Sequence, residues 1–288
     1  MTIKDLLKDT LSEKELEDVP SAFEIIGNKE KAVAIIEIPD SLKRRKKLIA
    51  QAILEKHKNI KSILEKKSAR KGVFRIRSYR ILSGDRNTTV LHKESGCYFK
   101  LDPRKTYFSS REGTERLRLS EHIKDHENIM VFFSGIGVFP IILKKMNKSI
   151  KISGIEINPK AVKYFEYNCK LNKVDASAFK GDVRKIVYKR KMQKMYDRVI
   201  MPLPESSIEF LKEVFYCLKN GGICNIYCFS KEEELEYVKA KIAGEAKKYL
   251  KSLEFIGTQK VLPYGPNIYK YRIDCKVNSI SKSKDLEI

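Results

Sequence analysis

The sequence predicts an α/β protein in two parts, a small α+β unit followed by a mostly parallel, doubly wound sheet. Three observations predict it. Beyond about Thr114, apolar strand-like runs alternate with amphipathic helical spacing, the pattern of a parallel sheet covered on both faces. Before that point the strand-like runs are crowded together, with turn residues between them. The last two runs, Glu254–Leu262 and Ile268–Val277, are joined only by Pro263 to Pro266. That link is too short for a parallel crossover, so the pair must be an antiparallel hairpin.

In the first part, Lys31 to Ile38 reads as a strand, and Pro39-Asp40-Ser41 supplies a turn that can cap a helix. Ser41 to His57 has helical spacing, with Leu42, Leu48, Ile49, Ala52 and Ile53 apolar and a basic cluster from Lys43 to Lys47. Extended segments follow at Ile60–Leu64, Val73–Leu82, Thr88–His92 and Cys97–Leu101, with Ser95-Gly96 turning the last pair. In the second part the expected strands are Ile129–Phe133, Ile150–Ile155, Ala176–Phe179, Arg198–Met201 and Ile223–Phe229. Helices are expected at Pro159–Leu171, Ser206–Leu218 and Lys231–Leu250. The domain boundaries expected from this texture are 1–112 and 113–278, with a polar tail over 279–288.

Fifty-nine Lys and Arg against 37 Asp and Glu leave a formal net charge of +22, which favours a polyanionic partner. A generally lysine-rich proteome would leave the same excess. The longest uncharged apolar stretch, Asn128 to Leu143, is shorter than the roughly 20 residues of a membrane-spanning helix, and Gly and Pro interrupt it. No membrane association is expected. The N-terminus lacks the continuous apolar core of a secretion signal. The six cysteines (97, 169, 217, 224, 228 and 275) form no CxxC pair and join no His cluster, so no metal site is expected. The expectation is a cytoplasmic protein with reduced thiols.

Open α/β sheets bind ligands beyond the carboxyl ends of their strands. Three features converge there. Ser134-Gly135-Ile136-Gly137 lies between a strand and a helix, where glycines allow a sharp turn and close approach. Glu156 ends the next strand, where a carboxylate can accept from both hydroxyls of a ribose. Asp182, in Gly181-Asp182-Val183, follows the third strand and could receive an adenine amino group. Each has a plainer reading, as a turn, a helix-terminal acid or a cap. Pro140 stands where a GxGxxG dinucleotide loop needs a third small residue. The three features together therefore favour S-adenosylmethionine over NAD.

Five ordered segments between about Asp18 and Val277 carry a resemblance to a known family. Phe74-Arg75-Ile76-Arg77 through Leu82-Ser83-Gly84-Asp85 resembles an RxR…LxGE element. His92-Lys93-Glu94-Ser95-Gly96-Cys97-Tyr98-Phe99 matches HxExGCxF. The segment from Tyr107-Phe108 through Arg111 to Glu115-Arg116 is similar to YFxPRxxxER. Phe133 to Phe139 resembles FAGVGPF, and Asp197 to Pro204 resembles DRVxMNLP. On these segments the chain resembles the archaeal and eukaryotic tRNA (guanine-N1) methyltransferases that act at tRNA position 37. The resemblance implies a Rossmann-like class I methyltransferase sheet, S-adenosylmethionine as cofactor and tRNA as partner, for which a monomer would suffice.

By position, it implies Glu115 as general base, Arg75 stabilising charge on guanine O6, and Pro202 to Pro204 lining the target-base pocket. It places Tyr107, Arg111, Phe133, Gly135, Gly137, Glu156, Ile157, Asp182 and Val183 around the cofactor. Arg75, Arg77, Lys93 and Lys100 are expected on RNA. Read without the resemblance, Glu115 would be an ordinary salt-bridge partner of Arg116 or Arg118, and Arg75 and Arg77 would be same-face residues of a strand. The chemistry suits the assigned pair. Guanine N1 carries a proton that must leave as attack proceeds, which a carboxylate can accept, and the charge shifted to O6 suits a guanidinium. The chain departs from the family at Pro202 (Asn there), Ser110 (Pro) and Val131 (an acid). Archaeal members often carry an additional N-terminal domain for which the sequence shows no counterpart. Wyosine-pathway transferases, one of which moves an aminocarboxypropyl group, share the scaffold and remain the alternative.

Overall fold

The computed structural model describes residues 2–69 and 72–280 and divides into two compact units, Met1–Ser110 and Arg111–Ile288. The expected tail lies, from residue 281, outside the described residues.

The first unit opens with two short helices, α1 (Ile3–Leu7) and α2 (Glu13–Asp18). Each begins with a capping box, Thr2 with Asp5 and Ser12 with Glu15. Strands β1 (Glu24–Gly27) and β2 (Ala32–Ile36) pair antiparallel, and α3 (Lys46–Lys56) crosses over to β3 (Ile60–Lys66), parallel to β2. Strand β4 (Tyr79–Gly84) completes the sheet in the order β1-β2-β3-β4. Ile49, Ile53, Leu42, Ile3 and Leu7 pack with Ile63 and Ile36 to form its core. Strands β5 (Val90–Glu94) and β6 (Cys97–Leu101) form the expected hairpin, with Ser95 and Gly96 at φ 49° and 73°, as a primed turn requires.

Two expectations fail here. The helix expected from Ser41 begins only at Lys46, after a separate 3-10 turn over Asp40–Leu42. The strand expected over Val73–Leu82 begins only at Tyr79. Residues 72–75 form a turn in which the Arg75 N–H donates to the Gly72 carbonyl (3.1 Å) and Arg75 sits at φ 54°. Arg75 and Arg77 are therefore not same-face residues of one strand.

The second unit starts with α4 (Gly113–Glu121), then alternates β7 (Asn128–Phe132), α5 (Val138–Met146), β8 (Lys151–Glu156), α6 (Pro159–Asn172), β9 (Ser177–Lys180), α7 (Val183–Lys189) and β10 (Tyr196–Met201). A 3-10 turn (Ser207–Phe210) leads into α8 (Leu211–Cys217), β11 (Leu218–Ser230) and α9 (Leu235–Lys247). Strands β12 (Lys251–Gly265) and β13 (Ile268–Ser279) make the closing antiparallel hairpin. The seven-stranded order is β12-β13-β11-β10-β7-β8-β9, with β13 antiparallel to β11. The order reverses between β7 and β10, the switch point at which open α/β sheets place ligands.

Leu119, Phe139 and Leu143 of α4 and α5 cover one face with Val131, Ile200 and Tyr227. On the other face, Val187, Val214, Phe215, Ile242 and Ala246 pack against Met130, Val199, Ile226 and Ile273. The expected helix over Ser206–Leu218 is split in two, and β11 begins five residues before Ile223. The register with β10 jumps from Tyr196↔Leu218 to Arg198↔Ile223, so residues 219–222 of β11 bulge against β10, while Gly222 stays paired with Val277 of β13.

Candidate active site

Along the carboxyl edge of the second unit's sheet, a loop leaves each of β7, β8, β9 and β10. After β7, Phe133 holds φ 55° although it is not glycine, and its ring packs edge-on to Phe210 at 4.7 Å. A side chain in this region of backbone space is strained and persists only where its surroundings fix it. Gly137 starts α5 at φ 85°, and a Cβ there would lie 2.1 Å from the ring of buried Phe165. Ser134 Oγ is buried without a hydrogen-bond partner among the described residues.

Glu156 ties the first two loops together. Its carboxylate accepts from the Gly135 N–H (2.8 Å) and the Asn158 N–H (2.7 Å). Burial pushes its pKa above the ordinary glutamate value, against the backbone N–H groups of Asn158, Gly135 and Ile157, which pull it down. Asn158 and Pro159 open α6 as cap and first helical residue. Asp182 likewise caps α7, accepting from the Arg184 N–H at 2.9 Å. Val183 has its side chain in the core. Pro202, Leu203 and Pro204 follow β10 and are half-buried.

Glu115 lies in the first half of α4 and is 1 % exposed. Its partner is neither of the arginines that the sequence offers. Arg116 pairs with Glu112 (3.8 Å), and Arg118 donates to the Lys260 carbonyl (3.5 Å). Instead Glu115 Oε1 accepts from the Tyr227 hydroxyl (2.7 Å) and from Arg272 Nη1 (2.6 Å). Oε2 is buried and has no hydrogen-bond partner among the described residues. Burial opposes the charge on Arg272, but the Asp274 and Glu115 carboxylates outweigh it and raise the pKa. Burial, then the Glu115 charge, keeps the Tyr227 hydroxyl protonated far above its usual range. Arg111 is exposed and donates to the Pro263 carbonyl (3.3 Å).

Arg75, Arg77, Lys93, Lys100 and Tyr107 belong to the first unit. Arg77 is half-buried, with Nε buried and unpartnered among the described residues. Lys93 is exposed, its ammonium 5.6 Å from the Tyr98 ring centroid. All six cysteines are buried and free. No helix among the described residues is long and apolar enough to cross a membrane.

Sequence reasoning missed Tyr227 and Arg272. The signal was the alternation Lys270, Arg272, Asp274 in β13, which ordinarily marks a solvent face. Here Lys270 and Arg272 are as buried as Tyr271 and Ile273.

A doubly wound sheet with an antiparallel closing hairpin, a glycine loop at its switch point and a buried acid ending the next strand define a Rossmann-like ligand-binding domain. Comparison with known proteins narrows this. The sequence profile of the TRM5/TYW2 methyltransferase domain matches residues 89–254, and that of the TYW2 N-terminal domain matches residues 3–88. The chain belongs to the TRM5/TYW2 methyltransferase family.

It is 37% identical over 262 residues to tRNA (guanine(37)-N(1))-methyltransferase Trm5b of Pyrococcus abyssi, covering 90% of this chain and 76% of that one. The solved complex of aTrm5 with tRNALeu superposes with a TM-score of 0.80 at 27% identity, covering 96% of this chain and 78% of that one. The complex of P. horikoshii TYW2 with MeSAdo gives 0.80 at 25% identity, covering 96% and 98%.

Proposed function

We propose that the protein transfers a methyl group from S-adenosylmethionine to N1 of guanine 37 in tRNA. The observation that carries this reading is Glu115, a fully buried carboxylate with one oxygen held by two donors and the other unpartnered among the described residues. Such a group can take the N1 proton as attack proceeds, worth roughly 10²–10⁴-fold in rate. Tyr227, which fixes it, follows Ile226, the register partner of Met201, so Glu115 is held level with the start of the Pro202–Pro204 loop. That loop offers rigid apolar walls for an extruded base.

S-adenosylmethionine, when bound, supplies an electrophilic methyl group. The residues present suit it. Glu156 presents a buried carboxylate at the strand end for the ribose hydroxyls, Ser134 Oγ is a buried polar atom without a partner among the described residues, and Asp182 is a further acceptor one strand away. Phe133, Gly135, Gly137, Ile157 and the Val183 backbone would line the same edge. Arg75 at guanine O6, Tyr107 and Arg111 at the cofactor, and Arg77, Lys93 and Lys100 on RNA take their roles from the family resemblance. The net charge of +22 supports a polyanionic substrate.

A second reading has a specific observation behind it, because residues 3–88 match the TYW2 N-terminal domain. Under it the protein would act on a wyosine precursor in tRNA. The Glu115→Gln variant tests the leading reading. It should bind cofactor and tRNA normally and transfer methyl at least about 100-fold more slowly, measured in single turnover. An unchanged single-turnover rate would remove Glu115 as the base.

A further inference from the structure

We propose that Tyr227 and Arg272 are positioning residues for Glu115, jointly occupying Oε1 so that Oε2 alone is presented for the proton. This rests on the reading of Glu115 as the base. Both donors converge on one oxygen, at 2.7 and 2.6 Å, while the other oxygen is buried and unpartnered among the described residues. A buried carboxylate held only for stability would use both oxygens, since an unmet buried acceptor costs about 1–3 kcal/mol. The one-sided arrangement keeps that cost and leaves a lone pair in place before any substrate arrives.

Each donor is itself held from behind. Arg272 Nε donates to both oxygens of Asp274 (2.9 and 3.2 Å), and Asp274 accepts from the Asn225 amide (2.6 Å). The Asn225 amide oxygen accepts from Arg198, whose guanidinium makes two bonds to Glu127 (2.7 and 2.9 Å). Arg272 is therefore anchored through β13, β11 and β10, and its fork cannot swing to follow Glu115. The Tyr227 ring sits edge-on to Phe139 at 6.1 Å, with the Lys270 ammonium 4.8 Å from its centroid. Its own carbonyl accepts from the Ser207 hydroxyl at 2.6 Å. Ser207 lies just beyond Pro202–Pro204, so one residue links the carboxylate to the loop assigned to the target base. The remaining charges around Glu115 pair elsewhere, Lys270 with Glu112 (2.9 Å) and Arg116 with Glu112. Among the described residues, Tyr227 and Arg272 are the groups that donate hydrogen bonds to it.

The test is a double-mutant cycle on the single-turnover rate with guanine-37 tRNA, with cofactor and tRNA affinities measured in parallel. Tyr227→Phe removes one hydroxyl without changing shape. It should slow transfer by roughly tenfold, the size of one hydrogen bond to a charged group, with both affinities unchanged. In the Glu115→Gln background the same substitution should change the rate by no more than about twofold, because a positioning residue has nothing left to position. Arg272→Lys should recover part of the rate that Arg272→Met loses. A Tyr227→Phe enzyme at full rate, or an equal loss in both backgrounds, overturns the proposal while Glu115 stands as the base. A Glu115→Gln enzyme at full rate removes the base and this inference with it.

Discussion

Gly137→Ala is the sharpest structural test of the glycine loop after β7, because two separate costs can be read from one position. At φ 85° an alanine occupies left-handed backbone space, at about 1–2 kcal/mol. Its Cβ would also lie 2.1 to 2.7 Å from three atoms of the Phe165 ring, which is fully buried. Phe165 cannot move outward without disturbing the packing between α5 and α6, and overpacking of that kind costs about 1–3 kcal/mol. Together these give a loss of about 2–5 kcal/mol. Gly244 in α9 provides the matched control, since a Cβ there meets nothing within 4 Å and its φ is helical. Gly244→Ala should stabilise by about 0.5–1 kcal/mol. Urea unfolding of the two variants beside the parent protein measures both shifts. Gly137→Ala as stable as the parent would refute the loop geometry, whatever its effect on activity.

Two further expectations concern Glu156. Glu156→Ala should weaken S-adenosylmethionine binding in a calorimetric titration, and an unchanged affinity would separate this carboxylate from the cofactor. The raised pKa also gives a sign for pH. The folded state binds the Glu156 proton more tightly than the unfolded chain does, so its stabilising share is full below the ordinary glutamate pKa and is lost as pH rises through the raised value. If the carboxylate accepts from the cofactor as proposed, cofactor affinity should rise over that same interval. Glu156→Gln should flatten both trends, and a variant that titrates like the parent would contradict the assignment.

The parts legible in the sequence are those with local causes. The parallel sheet, its closing hairpin, the glycine loop and the acids ending β8 and capping α7 follow from periodicity and turn chemistry within a few residues. The strand expected over Val73–Leu82 starts late because Arg75 takes a left-handed backbone, which neither pattern nor propensity reports. The partners of Glu115 were invisible for another reason. Tyr227 and Arg272 lie 112 and 157 positions away and meet it only because β11 and β13 are neighbours on the face that α4 covers. A local reading offers Arg116 and Arg118 instead, and the fold sends both elsewhere. The charged stripe of β13 carried the missing information, since Lys270 and Arg272 in a strand flanked on both sides have to find buried partners.

The most direct test of methyl transfer to guanine 37 is nucleoside mass spectrometry of unmodified tRNA incubated with the purified protein and S-adenosylmethionine. The account predicts 1-methylguanosine from a transcript with guanine at position 37 and none from one with adenine there. An aminocarboxypropyl nucleoside, or modification only of a tRNA already carrying a wyosine precursor, would contradict it and move the protein to a wyosine-pathway step instead.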